Sequence, residues 1–154
     1  MSYYSLTVPV VAQTSDNTCW HASASMIWAY WQSLTGRQGP MNTLGNKWSN
    51  DQPVNVRDFV ALAGKVGLKA VDPRPSDYTG SVIRGLLLRH GPLWCAGDWY
   101  GPGHIVVLTG IADSTVYLND PDGGVKKYES VAWFNRHLAN ELRGSMMYKN
   151  QHAY

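Results

Sequence analysis

Residues 13–23, with the sequence QTSDNTCWHAS, decide how this chain folds. A polar run precedes Cys19, and apolar residues then recur at helical spacing. The pattern predicts a helix over residues 18–33 with Asn17 or Thr18 as its N-cap. Apolar side chains cover nearly the whole circumference of this helix, so we expect it to be buried.

Cys19 is the candidate nucleophile. A thiol reacts as its thiolate, which a helix N-terminus and a nearby imidazolium both favour. Gln13 stands six positions earlier, and its amide together with the backbone N–H of Cys19 could stabilise an oxyanion. A lone cysteine is more often a small buried apolar residue. Cys95 fits that ordinary role, because it lies in the apolar segment 92–96.

His104 is the candidate general base among five histidines. It follows a Gly-Pro-Gly turn at residues 101–103 and opens the most apolar predicted strand of the chain. His21 is two residues beyond Cys19, and such positions of a helix face different ways. The other three histidines lie at a helix end, on a late helix and in the tail, at His90, His137 and His152.

Asp120 is the candidate third member of a catalytic triad. A catalytic histidine needs a group that fixes its ring orientation and tautomer. Asn119 and Asp120 stand side by side before Pro121, and an Asp-Pro pair at a strand end is also ordinary turn chemistry. A carboxylate is the better charge match for an imidazolium. We therefore favour Asp120 and keep Asn119 as the alternative.

In this order, the residues resemble those of the papain-like cysteine peptidases. The matching positions are Gln13, Cys19, Trp20 and the segments 103–108 and 119–121. The chain is most similar to compact bacterial members, namely the effector proteases of plant pathogens and related toxin and leader peptidases. The resemblance implies a cysteine endopeptidase that cleaves proteins through a thioester. Amidases, deamidases and acyltransferases use the same triad, for example on peptidoglycan, and remain the alternative. A catalytically dead binding domain is disfavoured, because all four positions carry working residue types.

The resemblance also implies the fold, an α+β papain-like domain. An N-terminal helical half would carry the nucleophile, and a C-terminal antiparallel sheet would carry histidine and aspartate. Helices followed by strands agree with this class. We expect one domain over residues 1–154, with a helical half at about 13–90 and a sheet half at about 91–150. Asp122-Gly123-Gly124 predicts a hairpin, and a late helix is predicted over residues 131–142.

Three tryptophans and one glycine are expected to bind substrate. Trp20 follows the nucleophile, and Gly103 precedes the base. Trp48 and Trp99 lie in loops rich in Gly, Asn and Pro, where aromatic residues often line a cleft. The resemblance implies a protein or peptide substrate and a cognate inhibitor or immunity protein that plugs the cleft.

Composition excludes several other classes of protein. Thirteen basic and eleven acidic residues give a net charge of +2, which offers no case for nucleic acid. No apolar run approaches the roughly 20 residues of a membrane span. Spacings typical of metal ligands are absent, so we expect neither a metal nor a cofactor. The N-terminus shows no Sec signal. We therefore expect a cytoplasmic protein, or one exported into a target cell by a specialised route.

Overall fold

One antiparallel sheet organises the protein in the computed structural model, which describes residues 2–44 and 55–154. The strands are β1 (Tyr3–Ser5), β2 (Leu68–Ala70), β3 (Leu93–Gly97), β4 (His104–Ala112), β5 (Thr115–Asp120), β6 (Val125–Ser130) and β7 (Met146–Lys149). Their order across the sheet is β2-β7-β3-β4-β5-β6, and β1 pairs with the far end of β4. The α-helices are α1 (Cys19–Thr35), α2 (Phe59–Val66), α3 (Gly80–His90) and α4 (Val131–His137), with 3₁₀ turns at Pro40–Thr43 and Val56–Asp58.

Alternate side chains of β3 and β4 enter two different cores. Trp94 and Val107 pack with α1 and α2, whereas Cys95 and Val106 pack with α3 and α4 on the opposite face. Both faces of the sheet are covered, so β4 is buried along its length except at its two ends. This explains why its sequence is continuously apolar instead of alternating.

Helix α1 fills the first core, as its apolar circumference predicted. Met26 and Ile27 have no exposed surface. The helix ends at Gly36, whose left-handed φ of 73° suits glycine and whose N–H donates to the carbonyl of Gln32 at 2.9 Å.

The start of α1 is built differently from a capped helix. Thr18 occupies the N-cap position, but its hydroxyl makes no capping hydrogen bond to the helix. Its Oγ1 instead accepts the backbone N–H groups of Thr14, at 3.2 Å, and Ser15, at 3.1 Å. The polar loop is thereby folded against the helix start, and Cys19 becomes the first helical residue.

The helical half at about 13–90 contributes a strand to the same sheet. Strand β2 comes from the helical half and pairs with β7, so that Leu68 lies opposite Lys149. The late helix is also shorter than predicted. Helix α4 ends at His137, because Leu138 is extended (φ −64°, ψ 132°) and forms a bridge with Gly97 at the end of β3.

Gly97 is expected to be intolerant of any side chain. A Cβ added there would overlap the carbonyl oxygen of His137 and lie 2.8 Å from the Trp99 indole. Gly97→Ala should therefore lower the free energy of unfolding by about 1–3 kcal/mol. Gly64 on α2 is the matched control, because nothing lies within 4 Å of a Cβ added there. Gly64→Ala should stabilise the helix by about 0.5–1 kcal/mol. Urea unfolding of both variants measures this, and equal stabilities would contradict the packing argument.

Candidate active site

Cys19 lies in a cleft between the start of α1 and the ends of β3 and β4. It exposes 7% of its surface and lines a cavity of about 250 Å³. Residues from the helical side and from the sheet side form the walls, namely Asp16, Asn17, Trp20, Val56, Phe59, Ala96, Gly97, Asp98, Gly103, His104, Ile105, Ala139, Glu141 and Leu142. The cleft therefore joins the two parts of the chain that carry Cys19 and His104.

The antiparallel pairing of β4 and β5 brings His104 and Asp120 together. His104 opens β4 and Asp120 closes β5, so the two residues meet at the same edge of the sheet. His104 Nε2 lies 2.6 Å from Asp120 Oδ1. The thiol of Cys19 also interacts with the ring, and this interaction raises the pKa of His104. Since Nε2 is taken by Asp120, the nitrogen that faces Cys19 is Nδ1.

Asn119 does not share this position. Successive side chains of a strand point to opposite faces, and the Asn119 amide donates to the carbonyl of Val8 at 3.0 Å. Asn119 is 2% exposed, so this hydrogen bond is buried. Of the two neighbouring candidates, the structure therefore places Asp120 and not Asn119 against His104.

Asp120 is a buried carboxylate, 1% exposed, with three hydrogen-bond donors. Its Oδ1 accepts from His104 and from the backbone N–H of Asp122 at 2.9 Å, and its Oδ2 accepts from Lys127 Nζ at 2.7 Å. Burial raises the pKa of Asp120, but these donors outweigh burial and the pKa is lowered overall. Asp120 is therefore held as a carboxylate.

Sequence reasoning missed Lys127. The signal was present in the predicted hairpin at 122–124, since a tight turn places residues of the next strand beside those of the previous one. In the structure Lys127 lies opposite Leu118, and hence diagonally across from Asp120 on the same face.

The pKa of His104 is raised to about 9. Burial opposes the charged ring, but the hydrogen bonds to Asp120 and to Cys19 outweigh it. The imidazole therefore carries its second proton near neutral pH, and a positive charge faces the sulfur of Cys19. The arrangement is chemically suited to an imidazolium–thiolate pair.

Gln13 lies in the loop before α1 and does not line the cleft of Cys19 and His104. Its backbone N–H donates to the carbonyl of Pro121 at 2.8 Å, which ties the loop before α1 to the turn after Asp120. Gln13 lines a different cavity of about 340 Å³ together with Thr18 and His21. Its Oε1 is buried and has no hydrogen-bond partner among the described residues.

The structure places only some of the residues expected to bind substrate in the cleft. Trp20 and Gly103 line the cleft. Trp99 does not, which corrects that expectation: its indole is 1% exposed and stacks on Phe134. The indole N–H donates to the carbonyl of Cys95 at 3.1 Å, and this buried acceptor allows a loop tryptophan to join the core. Trp48 lies outside the described residues.

Two other histidines are engaged elsewhere. His90 stacks on Tyr148 with ring centroids 3.8 Å apart, and His137 Nδ1 lies 3.1 Å from the carbonyl oxygen of Asp98.

Over residues 2–44 and 55–154, no group of three or more His, Cys, Asp and Glu side chains is arranged to hold a metal ion. None of the helices in those ranges combines the length and hydropathy needed to cross a membrane.

Comparison with known proteins agrees with this geometry. A family model described as papain-like cysteine protease AvrRpt2 matches residues 2–139. The crystal structure of a double glycine motif protease from an AMS/PCAT transporter, in complex with the leader peptide, has the same fold with a TM-score of 0.59. That alignment covers 97% of this chain and 96% of the other at 21% sequence identity. No curated protein matches the chain.

The two cysteines should differ sharply in reactivity. Cys19 lines the cleft beside a charged imidazole, whereas Cys95 has no exposed surface and burial raises the pKa of its thiol. Iodoacetamide near neutral pH should therefore label Cys19 and leave Cys95 unmodified in the folded protein, as read by peptide mass mapping. Labelling in denaturant, where both should react, is the control. Equal or preferred labelling of Cys95 in the folded protein would refute the assignment of the nucleophile.

Proposed function

Because the chain belongs to the papain-like cysteine protease AvrRpt2 family, it is a cysteine protease, and we propose that it is an endopeptidase with Cys19 as its nucleophile. The observation that carries this proposal is the position of His104. Its ring is hydrogen-bonded to the buried carboxylate of Asp120, and it lines the same cleft as the thiol of Cys19, which raises the pKa of the ring. A nucleophile, a base and an orienting group thus lie next to one another in the order that the chemistry requires.

The geometry supports the following reaction. His104 already holds the proton of the Cys19 thiol in an imidazolium–thiolate pair, and the thiolate attacks the carbonyl carbon of the scissile peptide bond. The imidazolium then protonates the leaving amine, and the carbon–nitrogen bond breaks to leave a thioester. A water molecule, deprotonated by His104, attacks this thioester and releases the carboxyl product. Asp120 holds the ring in the tautomer that both steps require.

The oxyanion formed in each step needs donors. The backbone N–H of Cys19, at the positive end of α1, is one. We assign the side-chain amide of Gln13 as the second, because the Gln13–Pro121 hydrogen bond holds its loop at the edge of the sheet that carries Asp120.

A protein or peptide is the proposed substrate. The double glycine motif protease of the same fold was crystallised with a leader peptide, and this supports a peptide in the corresponding cleft. The cleft offers both apolar walls, such as Trp20 and Phe59, and acidic side chains, such as Asp98 and Glu141. We further propose an effector or toxin role in a target cell, with a cognate inhibitor or immunity protein that covers this cleft. The resemblance to bacterial effector proteases supports that role.

Cleavage of proteins should be visible directly. Wild type incubated with bacterial and eukaryotic lysates should generate new protein N-termini that mass spectrometry detects. The Cys19→Ala variant should generate none, whereas Cys95→Ala should retain the activity because Cys95 lies in the core and not in the cleft. Muropeptide changes or deamidated side chains without new N-termini would contradict the endopeptidase and support the amidase or deamidase alternative.

Gln13→Ala should lower kcat about 100- to 1000-fold with little change in KM, since the oxyanion develops only along the reaction path. Gln13→Glu should be at least as damaging, because it places an anion against a developing anion. Gln32→Ala is the matched control, an exposed glutamine on α1. A large fall in Tm with kcat within about threefold of wild type would show that Gln13 only braces its loop.

A further inference from the structure

We propose that Lys127 is a positioning residue of the triad, whose ammonium group anchors Oδ2 of Asp120 and limits how strongly this carboxylate holds the proton of His104. The inference rests on the proposed function, in which His104 and Asp120 serve Cys19. It assigns a fourth side chain to the machinery, contributed by the neighbouring strand β6.

The hydrogen bonds of Asp120 divide between its two oxygens. Oδ2 is bound by Lys127 Nζ at 2.7 Å, while Oδ1 is bound by His104 at 2.6 Å and by the Asp122 N–H at 2.9 Å. Rotation of the carboxylate would break at least one charge-assisted bond. Lys127 therefore keeps Oδ1 turned toward the imidazole.

Lys127 is itself held in place, unlike an ordinary surface lysine. Its side chain is 32% exposed, and its Nζ lies 3.8 Å from the centre of the Tyr100 ring. The Tyr100 hydroxyl donates to Glu129 Oε1 at 3.1 Å, and the Tyr100 ring packs on Trp133. Glu129 follows Lys127 by two residues and lies on the same face of β6.

Tyr100 connects this lysine to the catalytic base. It lies in the loop between β3 and β4 that ends at His104, and its backbone has a left-handed φ of 56°. Such a φ is uncommon for a bulky residue, so the packing around it must hold it there. Lys127 thus bridges Asp120 and the loop that precedes His104.

The positive charge of Lys127 affects the reaction because it partly neutralises the carboxylate of Asp120. Among the described residues, the charged or titratable groups around Asp120 are His104 from β4, Lys127 from β6 and Tyr100 from the loop before β4. Cys19 from α1 interacts with His104, and Tyr100 and Glu129 lie beside Lys127. Loss of the ammonium would leave the carboxylate fully available to the imidazolium. The ring would then hold its proton more tightly and would protonate the leaving amine less readily.

The test compares Lys127→Met, Lys127→Arg and the control Lys126→Met, whose lysine is exposed on the opposite face of β6. NMR titration of the His104 ring needs no substrate, and wild type should titrate in its upper step at about 9. Lys127→Met should raise this midpoint by about half a pH unit or more. It should also lower kcat about tenfold, with KM within about threefold, on a peptide that wild type cleaves in lysate. Lys127→Arg and Lys126→Met should match wild type.

An unchanged or lowered midpoint in Lys127→Met, or an equal shift in Lys126→Met, would overturn the proposal. If Lys127→Met fails to fold, Lys127→Gln takes its place under the same criteria. A wild-type midpoint near the ordinary histidine value of about 6.5, unaffected by Cys19→Ala, would instead contradict the proposed function. The role of Lys127 is decided by the difference in the His104 titration midpoint between Lys127→Met and Lys127→Arg.

Discussion

The buried carboxylate of Asp120 is the constraint on which the site depends. A charge removed from water is tolerated only when donors surround it, and here the donors come from β4, from β6 and from the turn between β5 and β6. These hydrogen bonds require one strand register. A slip of one residue would turn Asp120 to the other face and bring Asn119 toward His104.

The same edge of the sheet also places Cys19, the proposed nucleophile. The carbonyl of Pro121 accepts the N–H of Gln13, and the amide of Asn119 binds the carbonyl of Val8, so the segment before α1 is fastened at two points. Helix α1 then lies across β4, with Met26 and Ile27 in the core. Chain direction and packing together bring Cys19 into the cleft that His104 also lines.

Cys19 and His104 could be predicted because each stands at a change of sequence pattern, from polar loop to helix or from glycine turn to apolar strand. Asp120 could be chosen over Asn119 only by charge matching and by the resemblance of the Asp-Pro ending to that of the bacterial relatives. In the structure it is Asp120 that lies against His104. Trp99 was assigned to the cleft wrongly, because loop composition does not show whether a buried acceptor is available for the indole. The late helix was predicted too long. Leu138 is apolar at helical spacing, but its backbone is extended and it bridges to Gly97.

The sequence by itself determined the family resemblance, the α+β class and the order of the site residues, because these follow from local patterns and residue chemistry. Only the tertiary structure decided which face each strand residue occupies, and with it the hydrogen bonds of Asp120. Lys127 belongs to this second group. Its contact with Asp120 depends on the register of β5 against β6, and its contact with Tyr100 depends on a left-handed loop residue. Such contacts join residues through pairing and packing, and spacing along the chain does not encode them.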